Sequence, residues 1–150
     1  MPRRPVKGRS ILFMATEEFA FDRNDQGRGS FNDYRGLLSP KNARVRLRLA
    51  GSNPCQQELG DIVNSGASPL ETAISRRSQQ EESVDAPFEV RLFTGSRVSG
   101  PVGYVPRGLE SLVDEALSRL DINGRKQRIP VEITKKRGLY RVELLMGRTR

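Results

Sequence analysis

Residues Arg128-Ile-Pro-Val-Glu-Ile-Thr-Lys-Lys-Arg-Gly-Leu-Tyr-Arg-Val-Glu-Leu-Leu-Met146 set the reading of this chain. Ile129, Val131 and Ile133 alternate with polar neighbours, the period of a strand with one buried face, and an apolar run returns from Leu139 to Met146. Between them stands Lys135-Lys-Arg-Gly138, a polar quartet closed by glycine. Two such runs around such a quartet predict an antiparallel hairpin with a cationic tip.

Working back from the hairpin, Leu109, Leu112, Val113, Ala116, Leu117 and Leu120 recur at i, i+3, i+4 and i+7. That spacing puts one apolar stripe on a helix, which Asn123-Gly124 ends with residues that tolerate positive φ. Phe88-Glu-Val-Arg-Leu92 alternates, and Val102-Gly-Tyr-Val105 follows a turn between Gly95 and Gly100, so a second hairpin is expected there. Arg44-Val-Arg-Leu-Arg-Leu49 alternates strictly, with Val45, Leu47 and Leu49 on one face and Arg44, Arg46 and Arg48 on the other. Two short helices should follow it. One opens at Asn53-Pro54 and closes near Gly66; the other starts at the capping box Ser68-Pro-Leu-Glu71. Strands and helices in this order make an α+β protein, and no fixed-period repeat suggests a solenoid.

The remainder of the chain is less regular. Residues 1–10 carry Arg3, Arg4, Lys7 and Arg9 among prolines and glycine, a composition expected to form a mobile basic arm. Residues 17–40 lack periodicity but keep Phe19, Phe21, Phe31 and Tyr34, which reads as an irregular segment pinned by its aromatics. Residues 75–85 are polar and low in aromatics, consistent with a linker.

Composition narrows the chemistry. The 150 residues suit one domain, and the single Cys55 admits no internal disulfide. Without histidine there is no Ser-His or Cys-His dyad, no imidazole base and no Cys/His zinc site. There is also no phosphate-cradling Gly-Lys-Ser/Thr loop and no Gly-x-Ser-x-Gly elbow. Asp22-Arg-Asn-Asp-Gln-Gly27 partly mimics a calcium loop, but Gln26 and Asp33 stand where its later ligands belong, so a polar turn is expected and no metal. Glu17-Glu18 and Glu81-Glu82 are adjacent carboxylates, which point in different directions on any regular element. No apolar run approaches the ~20 residues that span a bilayer, so the protein is expected in the cytoplasm and not on a membrane.

Charge supplies the functional lead. A formal charge of +8 attracts polyanions, nucleic acid foremost, although solubility alone would also account for it. Between Arg125 and Arg150 nine cations stand against only Glu132 and Glu143. A tip bearing Lys135, Lys136 and Arg137 can reach successive phosphates, with Tyr140 available to stack on a base or to cover the core. The Arg44, Arg46 and Arg48 row reads either as a phosphate-binding surface or as a solvated edge.

Phe88-Glu-Val-Arg-Leu-Phe93, Val102-Gly-Tyr-Val-Pro-Arg107, the leucine-rich helix and the closing basic hairpin together resemble the HIRAN domain family, in particular its stand-alone actinobacterial members. Leu49-Ala-Gly-Ser-Asn-Pro-Cys-Gln-Gln-Glu-Leu59 is similar to that family's strand, glycine turn and helix opening. The resemblance implies a small antiparallel β-barrel or half-barrel over residues 41–147, with two or three short helices, an irregular extension over 1–40 and a tail at 148–150. It also implies binding of nucleic acid, DNA in the best understood members, which hold the 3′ end of a single strand. Arg107 falls where the family commonly carries a basic residue toward the nucleic acid. The family's Asn-Pro-Tyr-Asp signature appears here only as Val84-Asp-Ala-Pro-Phe88, so no stacking tyrosine carries over from it.

The expectation is therefore a non-catalytic binder of single-stranded or end-containing DNA, without cofactor. Arg107, Lys135, Lys136 and Arg137 would make the main contacts, and Tyr104 or Tyr140 would offer stacking faces. A protein-interaction adaptor that accepts a partner strand at a sheet edge is the other reading.

Overall fold

The computed structural model describes residues 21–36, 38–74 and 87–150. The basic arm, the carboxylate pairs Glu17-Glu18 and Glu81-Glu82, and the linker at 75–85 lie outside the described residues. Strands β1 (Tyr34–Arg35) and β2 (Ser39–Pro40) form a small ladder of their own, which brings Tyr34 into the core. β3 (Leu47–Arg48) lies in the arginine-alternating stretch, where Val45, Leu47 and Leu49 are buried while Arg44 and Arg46 are exposed, as period two requires. After the 3-10 turn Asn53–Cys55, helix α1 (Gln56–Ser65) buries Leu59 and Ile62 and stops on left-handed Gly66.

The second expected helix does not form. Leu70–Ala73 is instead strand β4, hydrogen-bonded on one side to β5 (Glu89–Thr94) and on the other to β8 (Pro130–Lys136). A helix N-cap contributes about 1 kcal/mol, with a range of roughly 0.5–2 kcal/mol. As a central strand the same segment joins two halves of the sheet. Buried Thr72 shows the gain: its amide donates to the Ile129 carbonyl at 3.0 Å, and its Oγ1 accepts from the Ile129 amide at 3.0 Å. Tertiary pairing outweighs the local signal.

β5 turns back as β6 (Arg97–Val98) and also pairs with β7 (Gly103–Tyr104), in the register Glu89 with Tyr104 and Val90 with Gly103. Helix α2 (Glu110–Ile122) follows, and Leu112, Val113, Ala116, Leu117 and Leu120 are all buried, with Leu109 just before it. Gly124 at φ 71 lies just beyond it. Arg119 fastens the helix to its surroundings, donating to the Leu38 carbonyl at 3.0 Å and to Thr149 Oγ1 at 2.9 Å.

β8 and β9 (Leu139–Leu144) form the expected hairpin with a shorter turn than expected. Lys135 pairs with Tyr140 and Lys136 with Leu139, which leaves Arg137 and Gly138 alone at the tip. Both have positive φ, 53 and 80, the mirror-image turn whose twist matches that of paired strands. The pairing is antiparallel throughout, in the order β3-β9-β8-β4-β5-β6, with β7 on β5. The ladder does not close into a barrel. Its two sides approach where Ala50, just past β3, exchanges hydrogen bonds of 2.8 and 2.7 Å with Tyr104 of β7, and where Ser52 Oγ donates to the Val102 carbonyl at 2.8 Å. Among the described residues no helix is long and apolar enough to cross a membrane.

Candidate functional site

Strand alternation sorts the cations of the hairpin onto two faces. Lys135 shares a face with Tyr140, Ile133 and Val142, whereas Lys136 shares the other with Leu139, Thr134 and Arg141. On the Lys136 face lies a cleft of about 570 Å³. Among the described residues Arg23, Arg28, Arg48, Lys136, Arg137 and Arg141 line it, with Asn24 and Leu139, and no carboxylate does.

The cleft is assembled around one buried ion pair. Arg141 Nη1 stands 2.8 Å from Asp25 Oδ1, with the two side chains 6% and 3% exposed. Asp25 also accepts from the Ser52 amide at 2.9 Å and the Asn53 amide at 2.7 Å. A short polar loop, with Arg23 in its 3-10 turn Arg23–Asp25, is thereby fixed against the sheet. Two residues on, Gly27 adopts φ 81, and a Cβ there would stand 2.5 Å from Pro106 Cγ and 2.7 Å from the Arg48 carbonyl oxygen. Only glycine lets the chain pass this closely. Arg28 can then bridge β3, exchanging hydrogen bonds of 2.9 and 2.7 Å with Arg48.

Two arginines facing each other across a β-bridge repel. Burial first, and then the charges of Arg28 and Arg141, hold the Arg48 pKa below the usual guanidinium value. Among the described residues no carboxylate forms an ion pair with Arg23, Arg28, Arg48, Lys136 or Arg137. Arg137 adds a backbone cost, since a non-glycine residue in the left-handed region loses about 1 kcal/mol or more. Arg48 and Arg137 thus each carry a local cost. Guanidinium and ammonium groups only donate hydrogen bonds, so the cleft suits a ligand made of acceptor oxygens and negative charge.

The remaining candidates from the sequence are distributed elsewhere. Arg46 is neutralised between Glu132 and Glu143, and its hydrogen bonds to them raise its pKa. Arg44 is exposed beside a separate cavity that includes Asp33. Arg107 pairs with Glu110 at 3.2 Å and lines a neighbouring groove. Tyr140 faces away from the cleft, under the Lys135 ammonium at 5.1 Å and with its backbone held by Gln56. Tyr104 stacks on Phe21 with ring centroids 5.6 Å apart, and burial raises its hydroxyl pKa.

Of the nine residues singled out, the fold brings together Arg48, Lys136 and Arg137. Arg23, Arg28 and Arg141 were missed, and the one local sign of them was an arginine between two glycines, Gly27-Arg-Gly29. The calcium-like loop turns out to use Asp25 for Arg141, and among the described residues no cluster could hold a metal ion. Cys55 has its thiol pKa raised by burial and then by Asp25, which works against a nucleophilic role.

No protein-family model, no curated protein and no solved structure matches the chain.

Proposed function

We propose that this protein is a non-catalytic nucleic-acid-binding module with a HIRAN-like, incompletely closed barrel, and that it takes single-stranded or end-bearing DNA. The observation that carries the reading is the cleft, where six basic side chains from four chain segments converge with no carboxylate lining it among the described residues. Arg141 is already paired with Asp25, which leaves about five positive charges for phosphate groups. The family part of the reading rests on the residue pattern around Tyr104 and Arg107 and on the near approach of the sheet's two ends.

The opposite reading, an adaptor that adds a partner strand, has less to work with. The terminal strand β6 is two residues long, both exposed, and one of them is Arg97. Short charged edges of this kind discourage strand addition.

The test is fluorescence anisotropy with labelled single-stranded DNA, duplex DNA and RNA across a salt series. Releasing counterions from about five phosphates predicts an affinity loss of roughly a hundredfold for a fourfold rise in salt. Arg48→Gln combined with Lys136→Gln should remove most of the binding and flatten that slope. Absence of binding to every nucleic acid even at low salt overturns the proposal.

A further inference from the structure

The cations of the cleft are gathered, not strung out. A protein that tracks the backbone of a long strand needs positive charges in a row, each meeting one singly charged diester. Here Arg23 comes from a 3-10 turn, Arg28 from a bridge, Arg48 from β3, and Lys136 and Arg137 from the end of the hairpin, and all line one cavity. A terminal phosphate monoester carries nearly twice the charge of a diester at neutral pH and presents three strongly accepting oxygens. Convergent donors with no carboxylate beside them among the described residues match that group better than they match an internal phosphate.

A second feature adjoins the cleft and shares Arg28 with it. This groove, of about 490 Å³, has Phe31, Pro106 and Arg107 among the residues that line it. Phe31 is 51% exposed, although it is large and apolar. Its 3-10 turn, Phe31–Asp33, is capped by Ser30, whose hydroxyl accepts from the Asn32 amide at 3.0 Å, so the ring is presented from a defined turn. Gly29 keeps the floor of the groove low, since a Cβ there would stand 2.8 Å from Leu109 Cδ1. An exposed ring beside a cationic cavity is what an unstacked base uses.

We propose that the cleft seats the terminal phosphate monoester of a nucleic-acid strand, with the end base reaching past Arg28 to the exposed ring of Phe31. This rests on the nucleic-acid reading above and narrows it to phosphorylated strand ends.

The experiment compares short single strands of one sequence that carry a 5′-phosphate, a 3′-phosphate or only hydroxyl ends. Anisotropy is measured at near-physiological salt, with inorganic pyrophosphate as competitor. One of the phosphorylated strands is expected to bind about tenfold or more tightly than the hydroxyl-ended strand, and the stronger of the two identifies the end. Lys136→Gln and Arg48→Gln, with folding checked by circular dichroism, should shrink that preference. Phe31→Ala should weaken every strand alike and leave the preference in place, and Lys135→Ala, on the other face of the hairpin, should leave the preference between ends unchanged. Equal, salt-sensitive affinity for all three strands overturns the end-binding proposal while the broader nucleic-acid reading stands. Pyrophosphate that binds as tightly as the phosphorylated strand makes the free anion the ligand and overturns it too. Wild-type affinity in Phe31→Ala removes the base from that groove and overturns the placement. Binding to no strand at all removes the broader reading with it.

Discussion

Asp25→Ala should be among the most damaging single substitutions in this protein. The carboxylate is 3% exposed and holds three donors: the Arg141 guanidinium at 2.8 Å and the amides of Ser52 and Asn53 at 2.9 and 2.7 Å. Removing it leaves a charge unpaired in a buried position, which costs about 3–5 kcal/mol, and two backbone donors without their acceptor, about 1–3 kcal/mol each. All three losses belong to one carboxylate and are not additive, and Arg141 regains some solvation because it borders the cleft. About 3–5 kcal/mol is therefore the net expectation, a large share of the ~5–15 kcal/mol typical of a whole domain. For a urea m-value of about 1.5 kcal/mol per molar, the unfolding midpoint followed by circular dichroism should fall by about 2–3 M. Asp25→Asn with Arg141→Met, which removes both charges and keeps one acceptor, should recover much of that loss. A midpoint change below about 0.5 M in Asp25→Ala would refute the reasoning, because that is the size expected of an exposed pair.

Other perturbations test separate links. Gly27→Ala forces a Cβ against Pro106 and the Arg48 carbonyl at positive φ, so thermal unfolding should show a loss of about 1–3 kcal/mol, and nucleic-acid affinity should drop with it as Arg28 loses its bridge. Arg137→Asn substitutes a residue that tolerates left-handed backbone, so stability should hold or rise slightly by denaturant titration while strand binding weakens. Tyr34 carries a buried hydroxyl without a hydrogen-bond partner among the described residues, and burial pushes its pKa up to about 12. Its ionisation therefore takes nothing from stability below pH 10, and stability declines as pH rises from there through 12, because the unfolded phenol ionises first. Tyr34→Phe should flatten that decline in a pH series of melts and gain about 1 kcal/mol at neutral pH.

Local periodicity carried a good part of the architecture. The α2 stripe from Leu109 to Leu120, the alternation of Val45, Leu47 and Leu49, and the closing hairpin are all legible, because each element buries a face that its own residues define at a period of 3.6 or 2. Leu70–Ala73 was misread for the complementary reason. Its neighbours in sequence favour a helix start, whereas the partners that make it a strand, Val131 and Leu92 among them, are distant in the chain. The end of the hairpin was misjudged by two residues. Lysines at 135 and 136 look like turn residues by composition, yet the two-residue turn at Arg137 and Gly138 carries the pairing through them and sends the two lysines to opposite faces.

The abundance of positive charge was plain from composition, but its placement was not. Whether an arginine is neutralised, buried or free depends on which carboxylate the fold sets beside it. Arg46 meets Glu132 and Glu143, Arg141 meets Asp25 across more than a hundred residues of chain, and Arg48, set between Arg28 and Glu143 in the pairing, forms no ion pair among the described residues. Local sequence specifies dihedral preferences and the apolar face of each segment, both short-range properties. Electrostatic neighbours are set by long-range pairing, and so the cleft exists only once the loop around Asp25 has closed on the sheet.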